Sequence, residues 1–406
     1  MRCGLLGGKL GHSYSPQIHA SLGNYPYALY EKSPFELDNF LRNGDFTGLN
    51  VTIPYKKDVI AFCDELSDCA ARLGAVNTLI RRDGKLIGHN TDYFGFCSML
   101  ERSGLQVTGK KVLVLGNGGA SATAVAVLNE KNADVVVISR RGDNNYTNLD
   151  LHSDAAVIVN TTPVGMYPNT GVSPVNLNYF PSLEGVLDVI YNPARTQLLL
   201  DAQQRGLITE NGLWMLVAQA KESAEWFTGS KISDQKITQI HKKLKQQMEN
   251  IVLIGMPGCG KSTLGVLLAE KLGKQFVDAD AEIVKYAGMS IPEIFSTSGE
   301  PGFRDIESKV LSALGKKSGL VIATGGGCVT RAENYDSLHQ NGRILWIQRD
   351  LDVLPTDGRP ISQSCDMTEL YHIRKPLYEE FSDLSVSNNQ SLEETLSKIL
   401  ILEDYQ

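Results

Sequence analysis

The stretch from Ile251 to Thr263, which reads IVLIGMPGCGKST, constrains the fold of this chain more than any other feature. An apolar run enters a glycine-rich loop, and the helical pattern LGVLLAEKL follows. The order of strand, GxxxxGK[ST] loop and helix predicts a phosphate-binding loop, because backbone N–H groups and the helix N-terminus attract phosphate oxygens. Lys261 is expected to contact the β- and γ-phosphates of a nucleotide, and Ser262 to bind Mg²⁺. The residues predicted to form this nucleotide site are Gly255, Gly258, Cys259, Gly260, Lys261, Ser262 and Thr263.

Length, charge and cysteine content narrow the functional classes. A chain of 406 residues suggests roughly two or three domains. The net charge of −7 argues against nucleic acid as a partner and favours small-molecule substrates. Seven scattered cysteines predict reduced thiols, and the absence of a leader pattern or a long apolar run predicts a cytoplasmic protein without membrane contact. The oligomeric state is left open.

The first hundred residues alternate short apolar runs with helical patterns, which predicts an α/β domain. The predicted strands lie in CGLLG, YALYEKS, GLNVTIP and NTLIRR. Polar residues cluster near the strand ends, where open α/β sheets place ligand contacts. Singly they are typical of turns or helix caps, but together they offer hydroxyls and amides for a polyol, with one lysine and one carboxylate.

Residues 110–141 carry a second nucleotide signal. The strand KVLVLG leads into the loop Gly116-Asn117-Gly118-Gly119-Ala120, followed by a small-residue helix and the strand DVVVISRR. This βαβ order is typical of a dinucleotide-binding fold, although Ser121 replaces the third glycine of GxGxxG. No Asp or Glu follows the second strand. Arg140 and Arg141 stand there instead. We interpret them as partners of a 2′-phosphate, which indicates NADP(H). The alternative is that both are solvated surface arginines.

Residues 1 to about 246 resemble shikimate dehydrogenases. The resemblance lies in HSYSP, GLNVTIPYK, GAVNT, NTD, GNGGAS, SRR, NTTPVGMYPN, LDVIYNP and NGLWMLVAQA. It implies that shikimate is bound by Ser13, Ser15, Asn50, Thr52, Asn77, Asp92, Tyr191 and Gln219. It also implies that the dinucleotide is bound by Gly116, Gly118, Gly119, Ala120, Arg140, Arg141, Thr161, Gly212 and Met215.

The catalytic pair of that family falls on Lys56 and Asp92. Lys56 is expected to donate a proton to the alkoxide that develops during hydride transfer, and Asp92 to orient the lysine. The alternative for Lys56 is an exposed lysine after a proline turn. The chain departs from the family at His89, at Tyr93 and Phe94, and at Trp214, so the preference for shikimate over quinate stays open.

The second half places more charged groups after the phosphate loop. Asp278 and Asp280 lie in QFVDADAEI, and a strand there would put both carboxylates on one face, one for the Mg²⁺ shell and one for an acceptor hydroxyl. The glycines 325–327 end an apolar strand and leave room for a small ligand.

Residues 250–406 resemble shikimate kinases through FRDIE, GGG and RKPLY. The resemblance implies that Asp280 accepts the proton of the 3-hydroxyl, that Asp278 and Ser262 hold Mg²⁺, and that Arg359 covers the phosphate transferred from ATP. It implies that shikimate is bound by Asp280, Arg304, Gly326 and Arg374, with Glu307 bracing Arg304. The segment 348–358 is shorter than the helix-bearing insertion usual in that family, so Arg349 competes with Arg359 for the nucleotide contact.

Together these patterns predict an α/β protein that catalyses two consecutive steps with NADP(H), ATP and Mg²⁺. The predicted parts are an α/β substrate-binding domain (1–102, completed by 215–246), a Rossmann NADP-binding domain (103–214), a linker (247–250) and a P-loop domain like that of nucleoside-monophosphate kinases (251–406). Two alternatives remain: the first half acts on quinate or uses NAD, or one half is a ligand-binding regulator of the other.

Overall fold

The protein is described by a computed structural model that covers residues 1–11, 13–354 and 367–404. Within these residues the strands form three sheets of six, five and five strands. The chain divides into two compact units: the first contains Met1–Val164, Ser173–Tyr191 and Asp201–Leu244, and the second contains Gly165–Val172, Asn192–Leu200 and Lys245–Gln406. Over the described ranges no helix is long and apolar enough to cross a membrane.

The first sheet belongs to the N-terminal unit. Its strands are β1 (Cys3–Gly7), β2 (Tyr27–Glu31), β3 (Gly48–Val51), β4 (Glu65–Leu66), β5 (Thr78–Arg82) and β6 (Lys85–His89), accompanied by α1 (Ser15–Leu22), α2 (Pro34–Asn43), α3 (Asp68–Leu73) and α4 (Asp92–Ser103). The strand order is β2-β1-β3-β5-β6-β4, and β5 runs antiparallel to both neighbours. The four strands predicted from the apolar runs are confirmed, and Leu6, Leu49 and Leu79 on them are fully buried.

The second sheet is parallel and has the order β11-β10-β9-β7-β8. Its strands are β7 (Lys111–Leu115), β8 (Asp134–Ile138), β9 (Val157–Asn160), β10 (Gly185–Asp188) and β11 (Ile208–Asn211), and the helices of this region are α5 (Gly119–Glu130), α6 (Gln197–Gln204), α7 (Leu213–Thr228) and α8 (Gln235–Met248). The β7-α5-β8 crossover is the predicted dinucleotide-binding unit, with the glycine loop at the carboxyl end of β7.

The third sheet is also parallel, with the order β13-β14-β12-β15-β16. It contains β12 (Asn250–Ile254), β13 (Gln275–Asp278), β14 (Leu320–Ala323), β15 (Gly342–Gln348) and β16 (Leu384–Ser387), with α9 (Lys261–Leu272), α10 (Ala279–Ala287), α11 (Ile291–Gly315), α12 (Glu333–His339), α13 (Met367–Phe381) and α14 (Leu392–Asp404). The phosphate loop connects β12 to α9, as predicted. Helix α11 is interrupted at Gly299, whose φ of 65° lies in the left-handed region.

The predicted linker at 247–250 is not a separate loop. Helix α8 continues to Met248, and β12 begins at Asn250, whose backbone N–H donates to the carbonyl of Asn341 at 2.8 Å. Asn250 is drawn into the sheet because its amide nitrogen also donates to the carbonyl of Lys317 at 2.7 Å. The apolar face of α8 is buried and consists of four side chains: Ile237, Ile240, Leu244 and Met248.

The second unit also includes residues 192–200, which the predicted scheme assigned to the dinucleotide-binding domain. Arg195 lies in this segment, and its guanidinium donates to the carbonyls of His339 at 2.8 Å and Gly342 at 3.1 Å. These long-range hydrogen bonds are not visible as a sequence pattern.

Candidate active sites

The first cavity has a volume of about 300 Å³ and lies in the N-terminal unit. It brings together most of the residues predicted to bind substrate and nicotinamide: Ser13, Ser15, Asn50, Thr52, Lys56, Asn77, Asp92, Ala120, Tyr191, Gly212, Met215 and Gln219. The sequence did not identify four apolar lining residues, Leu5, Val51, Val189 and Leu216. Val189 and Leu216 stand in the quoted motifs LDVIYNP and NGLWMLVAQA, but those motifs do not show which apolar side chains line the cavity.

Lys56 and Asp92 form a direct ion pair in this cavity. The Nζ of Lys56 lies 2.5 Å from Oδ2 of Asp92, and 29% and 17% of the two side chains are exposed. Asp92 is the first residue of α4, and its backbone N–H donates to the side chain of Asn90 at 3.0 Å. A carboxylate is favoured at a helix N-terminus, so this position suits an acidic partner for the lysine. The exposed-lysine alternative for Lys56 does not fit this contact.

A buried network orients the two predicted asparagines. Asn50 donates through its amide nitrogen to Ser223 at 2.7 Å and accepts from the hydroxyl of Tyr27 at 2.8 Å. Asn77 accepts from the backbone N–H of Thr91 at 2.7 Å. Sequence reasoning missed Tyr27, Thr91 and Ser223 as supporting residues. Only Thr91 stands in a quoted motif, NTD, and that motif was the one available signal.

The aromatic departures from the family pattern do not line the cavity. The hydroxyl of Tyr93 contacts the carboxylate of Glu130, and Phe94 lies under the ammonium of Lys221 with 5.4 Å between Nζ and the ring centroid. The sequence left open whether these residues reshape the pocket. They instead pack around it.

Trp214 and His89 also point to other partners. The indole N–H of Trp214 donates to Ser98 at 2.8 Å, and the guanidinium of Arg102 lies 4.3 Å from its ring. The ring of His89 stacks on Trp226 with 4.2 Å between centroids. Neither Trp214 nor His89 lines the cavity formed by the residues predicted to bind shikimate.

The dinucleotide loop has the shape that its sequence predicts, with one difference. Gly116 has a φ of 106°, and a Cβ there would lie 2.9 Å from Oγ1 of Thr161. Gly118 is the N-cap of α5 and Gly119 is its first residue. The backbone N–H groups of the loop therefore lie at the N-terminus of a helix, which is a favourable position for binding phosphate. Ser121, which replaces the third glycine, is buried and donates to the carbonyl of Gly116 at 2.7 Å. Thr161 donates to the carbonyl of Leu115 at 2.6 Å and supports the loop, so its predicted contact with the dinucleotide stays a prediction.

Arg140 and Arg141 follow β8 directly. With Asn117 from the glycine loop, they line a separate open cavity of about 540 Å³. Among the described residues neither arginine has an ion-pair partner. Two unpaired guanidinium groups beside a dinucleotide loop suit a phosphate monoester, so these residues fit a 2′-phosphate group.

The second cavity has a volume of about 640 Å³ and lies in the second unit. Thirteen residues that the sequence singled out line it: Gly258, Gly260, Lys261, Ser262, Thr263, Asp278, Asp280, Arg304, Glu307, Gly325, Gly326, Gly327 and Arg374. Arg349 lines it as well, whereas Arg359 lies outside the described residues. An apolar wall of Val284, Ile291, Pro292, Phe295 and Phe303 was not predicted, because it draws on α10 and both parts of α11.

Two predicted residues of the phosphate loop support the cavity without lining it. A Cβ on Gly255 would lie 2.4 Å from the carbonyl oxygen of Ile347, so only glycine fits beside β15. Cys259 is fully buried, and its carbonyl accepts from the amide nitrogen of Asn388 at 2.8 Å. The Nζ of Lys261 donates to the carbonyls of Gly255 at 2.9 Å and Met256 at 3.0 Å.

The prediction that Asp278 and Asp280 share one face of a strand is wrong. Asp278 ends β13 and caps α10, because its Oδ1 accepts from the backbone N–H of Asp280 at 3.0 Å. Asp280 therefore sits in the first turn of a helix. Both carboxylates still line the cavity, and Oδ2 of Asp278 accepts from the hydroxyl of Ser262 at 2.8 Å. Hard oxygen donors at that spacing suit Mg²⁺.

Arg304 is held by two carboxylates on its own helix. It donates to Glu307 at 2.6 Å and to Glu300 at 3.0 Å. Burial raises the pKa of Glu307, while the guanidinium of Arg304 acts in the opposite direction. The motif FRDIE indicated Glu307, but Glu300 was missed because it lies four residues before Arg304 and outside that motif.

Three consecutive glycines shape the wall opposite Arg304. A Cβ on Gly327 would lie 2.1 Å from Nη2 of Arg304, and one on Gly325 would lie 2.8 Å from Oε1 of Glu307. The carbonyl of Gly326 accepts from the hydroxyl of Tyr378 at 2.5 Å. The glycines therefore leave room for the arginine and its partner, in addition to room for a ligand.

Comparison with protein families and known proteins gives matches to both halves. The sequence pattern described as shikimate dehydrogenase substrate binding domain matches residues 5–79, and the one described as shikimate kinase matches residues 257–402. A protein named shikimate dehydrogenase (NADP(+)) from Clostridium perfringens strain SM101 is 37% identical over 264 residues, which cover 60% of this chain and 97% of that protein.

Solved structures give the same result for the first half. Shikimate dehydrogenase 1 from Peptoclostridium difficile is 37% identical with a TM-score of 0.56, over 60% of this chain and 97% of that one. A chorismate mutase/shikimate 5-dehydrogenase fusion protein from Clostridium acetobutylicum is 34% identical with a TM-score of 0.57, over the same shares. Shikimate 5-dehydrogenase from Thermus thermophilus, solved in complex with NADP(H) and shikimate, is 30% identical with a TM-score of 0.54, over 60% of this chain and 99% of that one.

Proposed function

Since the chain belongs to the shikimate dehydrogenase family and carries a shikimate kinase domain as well, we propose that it catalyses two consecutive reactions. The first is the NADPH-dependent reduction of 3-dehydroshikimate to shikimate, and the second is the MgATP-dependent phosphorylation of shikimate at its 3-hydroxyl. The observation that carries this proposal is that one chain contains both an amide- and hydroxyl-lined cavity with a Lys–Asp pair and a phosphate-loop cavity with two carboxylates and arginines.

In the first reaction, bound NADPH supplies the hydride for the carbonyl carbon. Lys56 donates a proton to the carbonyl oxygen as negative charge develops there, and such a positioned acid contributes about 10²- to 10⁴-fold in rate. Asp92 holds the lysine by the 2.5 Å contact and fixes the direction in which the proton is delivered. Asn50 and Asn77 are already oriented by their buried partners, so they can bind the ring hydroxyls without rearranging.

The same half has groups that fit the dinucleotide. The N–H groups around Gly118 and Gly119 at the start of α5 would hold the pyrophosphate, and Arg140 with Arg141 would pair with the 2′-phosphate. Tyr191, Gly212 and Met215 line the end of the cavity where the nicotinamide would meet the substrate.

In the second reaction, Asp280 accepts the proton of the 3-hydroxyl while the hydroxyl oxygen bonds to the γ-phosphorus of ATP and the bond to ADP breaks. Ser262 and Asp278 would hold Mg²⁺ through oxygen, and the ion would neutralise charge on the phosphates. Arg304 and Arg374 would bind the carboxylate of shikimate. The role assigned to Arg359, which is to cover the transferred phosphate, concerns a residue outside the described ranges.

The test uses the full-length protein with 3-dehydroshikimate, NADPH and MgATP. NADPH consumption reports the first reaction and shikimate 3-phosphate formation the second. When shikimate is added directly to assay the second reaction, Lys56→Ala should remove only the first reaction, and Asp280→Asn should remove only the second while ATP still binds. Full reductase turnover in Lys56→Ala would instead support a ligand-binding regulatory half, and faster initial rates with NADH or quinate would overturn the cofactor or substrate assignment.

We also propose a cytoplasmic location and a kinase domain at 251–406. The six cysteines that the described ranges contain are free thiols, which suits a reducing compartment. The family match at 257–402 supports the domain limits.

A further inference from the structure

Arg349 directly follows β15 and lines the second cavity together with residues of the phosphate loop. Strands β12 and β15 are parallel neighbours, with Ile254 opposite Trp346 in register. The chain that leaves β15 therefore emerges beside the loop that leaves β12. The close approach of Gly255 to the carbonyl of Ile347 shows how near the two backbones are at this point.

The side chain of Arg349 differs from those of Lys261 and Arg304 in the same cavity. Lys261 donates to two carbonyls of its own loop, and Arg304 pairs with Glu300 and Glu307. The Nε of Arg349 is buried and lacks a hydrogen-bond partner in the part of the chain that the structure describes. A buried, unpaired donor on a charged group is costly unless a ligand satisfies it.

The backbone around Arg349 is fixed on both sides. The carbonyl of Gln348 accepts from the N–H of Asn388 at 2.7 Å, and the N–H of Asp350 donates to the side chain of Asn389 at 2.8 Å. Asn389 donates back to the carboxylate of Asp350 at 2.7 Å. Arg349 is thus presented from a braced position, which lowers the entropic cost of using it as a ligand contact.

We propose that Arg349 is a nucleotide-binding residue that pairs with the polyphosphate of ATP from the β15 side of the cavity. This inference rests on the proposed kinase function. A guanidinium forms paired N–H···O bonds to phosphate, and Lys261 approaches the same group from the phosphate loop. Arg349 makes this contact from the braced segment that directly follows β15.

The experiment compares Arg349→Gln and Arg349→Lys with Arg331→Gln in the full-length protein. Arg331 is a matched control, since it is an arginine of the same unit that pairs with Asp305 and Glu333 and does not line the cavity. Calorimetric titrations with MgATP, with adenosine and with shikimate give the three affinities. Unchanged shikimate affinity shows that the second unit of each variant is folded, and the NADPH-dependent reductase rate shows the same for the first unit.

Arg349→Gln should weaken MgATP binding by about 10- to 100-fold, the loss expected for a charge-assisted contact. Adenosine and shikimate should bind as before, Arg349→Lys should restore part of the loss, and Arg331→Gln should change nothing. Unchanged MgATP affinity in Arg349→Gln would overturn the inference, and so would an equal loss for adenosine, since that result would place the arginine on the base. A wild-type chain that binds MgATP but does not phosphorylate shikimate would refute the kinase function while the Arg349 contact could still be measured.

Discussion

The two cavities hold their essential lysines in opposite ways. In the first, Lys56 is bonded to Asp92, its proposed partner in the reaction, at 2.5 Å. In the second, Lys261 is bonded to the carbonyls of Gly255 and Met256, which belong to its own loop. In the proposed reactions, the first lysine is placed for proton donation before substrate arrives, whereas the second would exchange two backbone contacts for phosphate oxygens.

The supporting groups differ in the same direction. Around the first cavity, neutral amides and hydroxyls satisfy one another, as Asn50 does with Tyr27 and Ser223. Around the second, charges are balanced in pairs, as Arg304 is with Glu307 and Glu300. The first kind of surrounding suits the ring hydroxyls of the proposed substrate. A charged acid and a polyphosphate suit the second, because they replace or join existing ion pairs.

The largest expected effect concerns the preassembled pair. Lys56→Ala should lower the reductase rate by about 10²- to 10⁴-fold, since the positioned proton donor is lost. Lys57→Ala, which changes the exposed neighbour, should leave that rate unchanged, and both variants should keep the kinase rate. NADPH absorbance follows the first reaction. An equal loss in Lys57→Ala would mean that the turn, and not the pair, was disturbed.

A methyl group at Gly327 tests the charge-balanced cavity. The added Cβ would lie 2.1 Å from Nη2 of Arg304, so Gly327→Ala should push the arginine away from its carboxylate partners. The KM for shikimate should rise by about 10- to 100-fold, in line with the loss of a charged hydrogen bond. The KM for MgATP should change far less, and the reductase rate serves as the folding control. A variant with normal shikimate KM would show that Arg304 does not bind the acid.

We expect a smaller effect from replacing one of the two arginines that follow β8. Arg140→Ala should raise the KM for NADPH by about tenfold, because one charge-assisted contact to the 2′-phosphate is removed. The KM for NADH should stay unchanged, because NADH lacks that phosphate. Arg42→Ala is the control, since it removes an exposed arginine that pairs with Asp38 on α2 at 3.0 Å. Equal changes with both dinucleotides would contradict the assignment.

Local patterns predicted most of both cavities. The two glycine loops follow from short motifs, because backbone geometry and neighbouring residues specify them. Lys56, Asp92 and Arg304 were implied by the resemblance to the two families. Contacts between distant segments were not predictable, as Ser223 shows by bonding to Asn50 across 173 positions. The error at Asp280 has a local cause, since the capping carboxylate of Asp278 turns the chain into a helix where the apolar pattern suggested a strand.

The orientation of the aromatic side chains that depart from the family pattern could not be predicted from the sequence. Trp214 and Met215 are neighbours on α7, and successive residues of a helix point about 100° apart. Met215 therefore lines the cavity while Trp214 packs on Ser98 and Arg102 of α4. Reading such a substitution requires the orientation of the helix, which comes only from the tertiary structure.

The smallest expected effect concerns the hydrogen bond between Trp214 and Ser98, which lies outside the first cavity. Trp214→Phe keeps a ring over Arg102 but loses the hydrogen bond to Ser98, and Ser98→Ala loses the same bond from the other end. Each variant should lower the free energy of unfolding by about 1 kcal/mol, measured by denaturant titration. The KM for 3-dehydroshikimate and the preference over quinate should stay as in the wild type, because neither side chain lines the cavity. A higher relative activity on quinate in both variants would show that side chains packed behind Lys56 and Asp92 determine substrate specificity. The first cavity would then not be fixed before the substrate binds.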